Sequence, residues 1–220
     1  MSVSIIIPTL GRPSLAACLE SLAPQTQTAN GDRVLVMADG PEAWTKARDL
    51  TPPDRIKFRV CGYPGWNTLG QYGHPRRNAA LDLIGEYANP PDFCWSIDDD
   101  DIALPGALDA IRAATEAHPG RWFIFSMVGG PGSHYPDITV PTQGQVIRPG
   151  NVGTPMLVFP ATVAARFGSS ARDGFPPGYF GDWEMAVALE AELGPPVWRD
   201  AVICEVRPQA IAATDAGTHP

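Results

Sequence analysis

The sequence predicts an α/β fold: a doubly wound, mostly parallel sheet followed by a more elaborate C-terminal half. Short apolar runs, typical of strands buried on both faces, alternate with helical patterns through the first 130 residues. The resulting order is βαβ(α)βαβαβ, and strands that alternate with helices in this way pair in parallel through right-handed crossovers. Beyond that point strand-like and helix-like segments continue with less regular spacing.

The composition is that of an ordinary globular protein. The chain has 220 residues, of which 44% are hydrophobic and 18% are charged, and its 22 Gly and 24 Pro predict many shaped loops. The net charge of −8, with no basic cluster beyond Arg76-Arg77, disfavours a nucleic acid or an anionic membrane as the partner. No CxxC pair, leader peptide or membrane-spanning run is visible. We therefore expect a cytoplasmic protein with buried, reduced cysteines.

The elements of the first half follow from local patterns. Continuous apolar runs predict buried strands, the alternating run RIKFRVC predicts a strand with one polar face, and apolar side chains at helical spacing predict helices. The predicted strands cover residues 3–8, 33–38, 55–61, 92–97 and 121–128. The predicted helices cover residues 12–22, 42–50, 76–87 and 105–118. A long Gly- and Pro-rich loop covers residues 62–75.

The second half contains fewer clear elements. A helix over residues 182–193 is predicted because Met185, Ala186, Leu189 and Leu193 fall on one face. Weaker patterns suggest a hairpin within 138–148, strands at 156–159 and 197–206, and one or two helical turns at 161–167. Residues 208–220 are expected to form a mobile tail. No linker is visible, so we expect a single domain over residues 1–220.

The strongest functional signal is the run of four carboxylates from Asp98 to Asp101. The run directly follows a predicted buried strand, and open α/β sheets bind ligands at the carboxyl ends of their strands. Hard oxygen donors at that edge suit Mg²⁺ or Mn²⁺. The alternative is a solvated acidic turn that caps the following helix. The position after a buried strand favours the metal site.

Five short motifs extend this signal. They are the strand Ser4-Ile5-Ile6-Ile7-Pro8-Thr9 followed by Arg12, the turn Ala38-Asp39-Gly40, the helix start Arg76-Arg77-Asn78-Ala79-Ala80, the acidic run with Pro105 and Leu108, and Gly181-Asp182-Trp183-Glu184. In this order they resemble the SVIIPTxNR, DDGS, ARNxG, DxDDxxxPxxL and EDWxL motifs of family 2 glycosyltransferases of the GT-A fold. The resemblance covers residues 3–193. The chain departs from it at Ala38 and Gly181, where the family has acidic residues.

The resemblance implies a metal-dependent, inverting transfer of a sugar from a nucleoside-diphosphate sugar, with UDP favoured, to an acceptor hydroxyl. Residues 1–128 would bind the nucleotide and residues 129–207 the acceptor, which would be a protein, a glycan or a small molecule. The implied donor-binding residues are Pro8, Thr9, Arg12, Asp39, Arg77, Asp98 and Asp99. Within this set Asp39 would bind the base and Arg77 a phosphate.

The resemblance also implies a metal site and a catalytic base. Asp100, with Asp98, would hold Mn²⁺ or Mg²⁺, and Asp101 would cap the next helix. Asp182 would be the general base that takes the proton of the acceptor hydroxyl. Simpler interpretations exist for two of the aspartates, since Asp182 suits a helix N-cap and Asp39 an ordinary Asp-Gly turn.

Several loop residues remain open candidates. Trp66 suits stacking on a sugar, although loop aromatic residues as often fold onto the core. Tyr72, His134 and Tyr135 also lie in predicted loops. A late histidine such as His219 would join the metal only in a minority of cases.

Two other functions compete with glycosyl transfer. A nucleotidyltransferase would normally carry a Gly-rich phosphate loop after the first strand, and Gly11-Arg12-Pro13 is too sparse for one. A catalytically inactive nucleotide-sugar-binding module would not need all of Asp39, Asp100 and Asp182. Glycosyl transfer is therefore the function the sequence predicts.

Overall fold

The computed structural model describes residues 1–50, 58–63, 74–87, 92–130, 144–166 and 181–207. These residues form a mixed α/β fold around one sheet. Its strands are β1 (Val3–Thr9), β2 (Arg33–Asp39), β3 (Phe58–Tyr63), β4 (Phe93–Ser96), β5 (Ile102–Ala103), β6 (Phe123–Gly129), β7 (Leu157–Pro160) and β8 (Val197–Val206). The α-helices are α1 (Ser14–Leu22), α2 (Gly40–Asp49), α3 (His74–Gly85), α4 (Ala107–Ala117) and α5 (Gly181–Leu193). Short 3₁₀ segments cover Thr28–Asn30, Thr154–Met156 and Ala161–Arg166.

The sheet is mostly parallel, with the strand order β3-β2-β1-β4-β7-β6-β8-β5. Parallel pairs join β3 to β2, β2 to β1 and β1 to β4, as the βαβ pattern predicts. The strand β7 lies between β4 and β6 and is antiparallel to both, so β4 and β6 still run in one direction. β8 is parallel to β6, and the short β5 is antiparallel to β8. The carboxyl ends of β1, β2, β3, β4, β6 and β8 therefore share one edge of the sheet.

Helices cover both faces of this sheet, which confirms the doubly wound architecture. Adjacent side chains of β1 point to opposite faces, so Ile5 and Ile7 belong to one apolar cluster and Ile6 to the other. The first cluster includes the buried faces of α1 and α4, and the second those of α3 and α5. Strands buried on both sides need continuous apolar sequence, which explains why β1 and β2 are recognisable from sequence.

The predicted apolar helix faces are largely confirmed. In α1 the side chains of Leu15, Cys18, Leu19 and Leu22 are buried. In α5 Met185, Ala186 and Leu189 are buried, and Leu193 packs against the same cluster while partly exposed. Cys18, Cys94 and Cys204 are buried free thiols, as expected.

Other expectations differ in detail. α3 begins at His74, two positions before the predicted start, and α2 begins at Gly40 rather than residue 42. β5 has only two residues and leaves no pattern that sequence reasoning could detect. Most of the predicted hairpin at 138–148 lies outside the described residues, as does the expected tail at 208–220. None of the described helices has the length and apolar character that crossing a membrane requires.

Candidate active site

The predicted site residues come together at the carboxyl edge of the sheet. Thr9 and Asp39 are the last residues of β1 and β2, and the acidic run begins two residues after β4 ends. β1 lies between β2 and β4 in the sheet, so these strand ends are neighbours. The resulting crevice is where open α/β sheets bind ligands.

Asp99 holds the loop between β1 and α1. One carboxylate oxygen accepts hydrogen bonds from the Thr9 hydroxyl at 2.5 Å and the Leu10 amide at 3.3 Å, and the other accepts one from Arg12 at 3.2 Å. The residue is buried, and this burial raises its pKa to about 6 although the bond from Thr9 acts to lower it. The structure thus gives Asp99 a role in shaping the loop that carries Arg12.

Gly11 allows this loop to lie against α2. Its φ of +75° is in the left-handed region, and a Cβ atom there would lie 2.9 Å from the Cα of Ala43. The close approach fixes the backbone immediately before Arg12. The Arg12 side chain then reaches Asp100, with 2.9 Å between Nη1 and Oδ2, while 39% of its surface stays exposed. Arg12 is therefore a cation at the crevice that solvent can reach.

Arg77 is the buried partner of Asp98. The arginine side chain is only 1% exposed, and its Nη2 donates to Asp98 Oδ1 while Nε donates to Ser96 Oγ at 3.0 Å. The Asp98 side chain keeps 41% of its surface exposed. In this structure Arg77 orients Asp98, and its contact with a donor phosphate stays a prediction.

The pKa of Asp98 is affected by a second carboxylate, that of Asp182. The protein packed around Asp98 raises the pKa of its carboxyl by partial desolvation, although 41% of the side chain stays exposed, and the negative charge of Asp182 raises it further. The positive charges of Arg77 and Arg12 act in the opposite direction. Asp182 belongs to α5, far along the chain, so the fold brings the predicted metal ligand and the predicted base into one electrostatic environment.

The last carboxylate of the run has a structural contact, and the predicted helix cap is wrong. α4 begins after Gly106, and no side chain caps it. Asp101 instead accepts a hydrogen bond from the backbone amide of Arg207, just after β8, at 3.1 Å. Burial, and then the charges of Asp98 and Asp100, raise the pKa of Asp101. The β4–α4 loop is thereby tied to the end of β8.

Asp39 pairs with an arginine from α3. Arg76 Nη2 donates to Asp39 Oδ1, and Arg76 is buried while the Asp39 side chain is 22% exposed. Sequence reasoning favoured its neighbour Arg77 and gave Arg76 no role. The pairing leaves part of Asp39 accessible at the end of β2, where the predicted nucleotide base would lie.

Asp182 is the second residue of α5, with 28% of its side chain exposed. Its Oδ1 accepts a hydrogen bond from the Thr154 hydroxyl, and the Nε2 atom of His74 lies 3.8 Å from the same oxygen. His74 Nδ1 in turn lies 3.2 Å from Arg77 Nη1. A chain of polar contacts therefore runs from Asp98 through Arg77 and His74 to Asp182.

Sequence reasoning missed His74 and Thr154. His74 falls at the end of a Gly- and Pro-rich segment, and Thr154 lies in a weakly patterned region. Each precedes a proline that opens a helical turn, Pro75 and Pro155. Polar residues precede prolines elsewhere too, as at Arg12-Pro13 and Thr51-Pro52, so the sequence carries no signal that singles out His74 or Thr154.

The donor atoms at this edge suit a divalent cation shared with a ligand. Carboxylate oxygens are the donors that Mg²⁺ and Mn²⁺ prefer. Within the described ranges no three His, Cys, Asp or Glu side chains are grouped to hold a metal ion by themselves. Mg²⁺ commonly binds through one or two carboxylates together with substrate phosphates, so Asp98 and Asp100 fit that kind of site. Trp66, Tyr72, His134, Tyr135 and His219 lie outside the described residues.

Comparison with solved structures places the fold among GT-A-like proteins. A fragment of S. aureus TarS, residues 1–349, matches with a TM-score of 0.69 and 17% identity over 94% of this chain and 60% of that one. The same fragment in complex with UDP-GlcNAc matches with a TM-score of 0.65 at 17% identity, over 94% of this chain and 58% of the fragment. Its complex with UDP matches with a TM-score of 0.61 at 16% identity, over 94% and 60%.

These likenesses establish the fold. The chain spans about 60% of the TarS fragment and 36% of a longer TarS structure. No protein-family model and no curated protein match the sequence. The mixed α/β architecture with its mostly parallel sheet is therefore GT-A-like.

Proposed function

We propose that the protein transfers a sugar from a nucleoside-diphosphate sugar to an acceptor hydroxyl, with Asp182 as the general base. The observation that carries this proposal is the chain of contacts that links Asp98 to Asp182. They are joined through buried Arg77 and His74, and the charge of Asp182 acts on the pKa of Asp98. Glycosyl transfer needs a group that holds the diphosphate and a carboxylate facing the acceptor.

UDP-linked sugars are the proposed donors, and UDP-GlcNAc is the first to test. The support is the shared fold with TarS, whose structures contain UDP-GlcNAc and UDP. The partly exposed Asp39 would bind the base at the end of β2, with Pro8 and Thr9 beside it. Arg12 is the accessible cation suited to the diphosphate, since 39% of its side chain is exposed.

Asp98 and Asp100 would hold Mn²⁺ or Mg²⁺ together with the donor diphosphate. The metal, when bound, would neutralise the charge that develops on the leaving group. Arg77 keeps Asp98 in place beneath that site. Asp99 stabilises the β1–α1 loop through its contact with Thr9, and Asp101 ties the β4–α4 loop to the end of β8 through its contact with the Arg207 amide.

Asp182 would take the proton from the acceptor hydroxyl as its oxygen attacks the anomeric carbon. The bond from that carbon to the diphosphate breaks, and its electron pair leaves with the diphosphate. Attack from the face opposite the leaving group inverts the configuration at the anomeric carbon. This proposal places the chain among inverting enzymes resembling family 2 glycosyltransferases.

Asp182→Asn tests the base directly. The amide has no oxygen basic enough to take the proton, so release of UDP from UDP-GlcNAc with Mn²⁺ should fall by roughly 10²–10⁴-fold. The affinity for UDP should barely change, because the base acts on the acceptor. Turnover is measured by UDP release, donor affinity by calorimetry, and folding by thermal melting.

Glu184→Gln is the matched control, since Glu184 is an exposed carboxylate on the first turn of the same helix. Its turnover should remain near that of the wild type. Near-normal turnover of Asp182→Asn would exclude Asp182 as the base. Binding of UDP-GlcNAc without turnover of any nucleotide-sugar by the wild type would favour a binding module.

A further inference from the structure

His74 is a buried polar residue between the two halves of the candidate active site. It is the first residue of α3 and is 2% exposed. One ring nitrogen faces Arg77 on its own helix, and the other faces Asp182 on α5. Neither the sequence motifs nor the proposed reaction gives this residue a role.

The Arg77 contact determines which ring nitrogen carries the proton. An arginine side chain has only N–H donors, so across 3.2 Å the Nδ1 atom of His74 must be the acceptor. A charged imidazolium has N–H donors at both nitrogens and could not accept from Arg77, so the contact requires the neutral ring. In the neutral ring the proton is then on Nε2, the nitrogen that lies 3.8 Å from Asp182 Oδ1.

Asp182 is held through one of its two carboxylate oxygens. Thr154 donates to Oδ1, and Nε2 of His74 lies 3.8 Å from the same atom. That distance is longer than a hydrogen bond, but catalytic contacts often tighten when the substrate binds. Contacts on Oδ1 leave Oδ2 as the oxygen to face an acceptor.

We propose that His74 is a positioning residue for Asp182, which rests on the proposed function. Its neutral imidazole is fixed by Arg77 and presents Nε2–H to Oδ1, so the basic Oδ2 points toward the acceptor. Arg77 also orients Asp98. One buried arginine thus sets the geometry of the predicted metal ligand directly and of the predicted base through His74.

Two conservative variants separate the contacts of the ring. In His74→Asn the amide lies near the former Nδ1, so the Arg77 contact survives while the donor to Asp182 is lost. In His74→Gln the amide reaches the former Nε2 position and keeps a donor for Asp182. We expect His74→Gln to retain most of the turnover and His74→Asn to lose up to roughly 100-fold in kcat, because misplacing a reacting group has costs of that size.

The KM for UDP-GlcNAc should change less than twofold in both variants, since His74 acts on the base rather than on the donor. Each variant is first shown to fold by thermal melting. If His74→Asn turned over faster than His74→Gln, the ring would serve Arg77 rather than Asp182, and the inference would be wrong.

Nuclear magnetic resonance of the ring nitrogens tests the contact without any turnover. The whole chain is labelled with ¹⁵N-histidine, and His74 is assigned among the four histidines by its loss in His74→Gln. We expect Nε2 to be protonated and Nδ1 unprotonated at neutral pH, and Asp182→Asn to shift the Nε2–H signal.

Protonation of Nδ1 would overturn the inference, and so would an Nε2–H chemical shift that is unchanged in Asp182→Asn. Both outcomes are decisive whether or not the protein is an enzyme. If the wild type releases no UDP from any donor, the proposed function fails. The nitrogen spectra still decide whether His74 holds Asp182.

Discussion

Two arginine–aspartate pairs lie at opposite edges of the same sheet and differ in what they leave exposed. At the amino edge Arg112 Nη2 donates to Asp32 Oδ2, and the Asp32 side chain is 0% exposed. At the carboxyl edge Arg77 donates to Asp98, and the Asp98 side chain is 41% exposed. Both arginines are buried, so the difference lies with the carboxylates.

The fold itself uses both oxygens of Asp32. Oδ1 accepts from the Val3 amide at 2.9 Å, and Oδ2 accepts from the Gln27 amide at 2.7 Å in addition to Arg112. These contacts join the start of β1, the segment before β2 and helix α4. Asp32 therefore acts as a structural clamp.

Asp98 has the same kind of arginine partner but an accessible carboxylate. Arg77 fixes the orientation of the Asp98 carboxylate, and the exposed part of that carboxylate can still accept contacts from a ligand. Exposure of the remaining lone pairs, rather than burial of the ion pair, therefore distinguishes Asp98 from Asp32.

The largest expected effect is at the amino edge. Asp32→Ala removes the partner of buried Arg112 and leaves two backbone amides without their acceptor, so the free energy of unfolding should fall by about 3–5 kcal/mol. Urea denaturation measures the loss. Affinity for UDP with Mn²⁺, per folded molecule, should not change.

Asp109→Ala is the control for that substitution, because Asp109 pairs with the same arginine through a side chain that is 77% exposed. It should lower the free energy of unfolding by less than about 1 kcal/mol. Equal losses for the two variants would mean that Asp32 is not the clamp.

The next effect is at the carboxyl edge. Asp98→Asn keeps an oxygen for Arg77 but offers a poorer ligand for a hard dication, so affinity for UDP in the presence of Mn²⁺ should fall by roughly tenfold or more. Asp100→Asn should act in the same direction. Calorimetric titration of UDP with and without Mn²⁺ measures both.

Asp92→Asn provides the matched control at the other end of the same strand. Asp92 precedes β4 and accepts a hydrogen bond from the Ser2 amide at 2.6 Å. Its substitution should leave the affinity for UDP unchanged. An unchanged Mn²⁺ dependence in both Asp98→Asn and Asp100→Asn would contradict the shared metal site.

The smallest effect is expected at the end of β2. Asp39→Asn keeps an acceptor for Arg76 but replaces a charged hydrogen bond to the base by a neutral one, a difference of about 1 kcal/mol. UDP and UDP-GlcNAc should both bind about fivefold more weakly, with or without Mn²⁺. The control is Asp49→Asn, at the exposed end of α2, which should bind UDP and UDP-GlcNAc with wild-type affinity. If Asp39→Asn also binds both with wild-type affinity, Asp39 is only a turn residue.

The sheet and the site were predictable from sequence to different degrees. The buried strands β1, β2 and β4 leave continuous apolar runs, so they and the acidic run after β4 could be located. The insertion of β7 between β4 and β6 could not, because a four-residue strand carries no mark of its partner. Ion pairs such as Arg76–Asp39 depend on side-chain direction at a helix start, which residue type does not encode.

The position of β7 has a consequence for how the protein is made. The acidic run follows β4, whose neighbours on the sheet are β1, from the start of the chain, and β7, where Phe159 lies opposite Cys94. On the ribosome β4 emerges with one hydrogen-bonding edge unmatched until β7 follows. Pairings between strands so distant in sequence slow folding, and open strand edges favour association with other chains. The nascent chain is therefore expected to be most vulnerable to aggregation in the interval between synthesis of β4 and of β7.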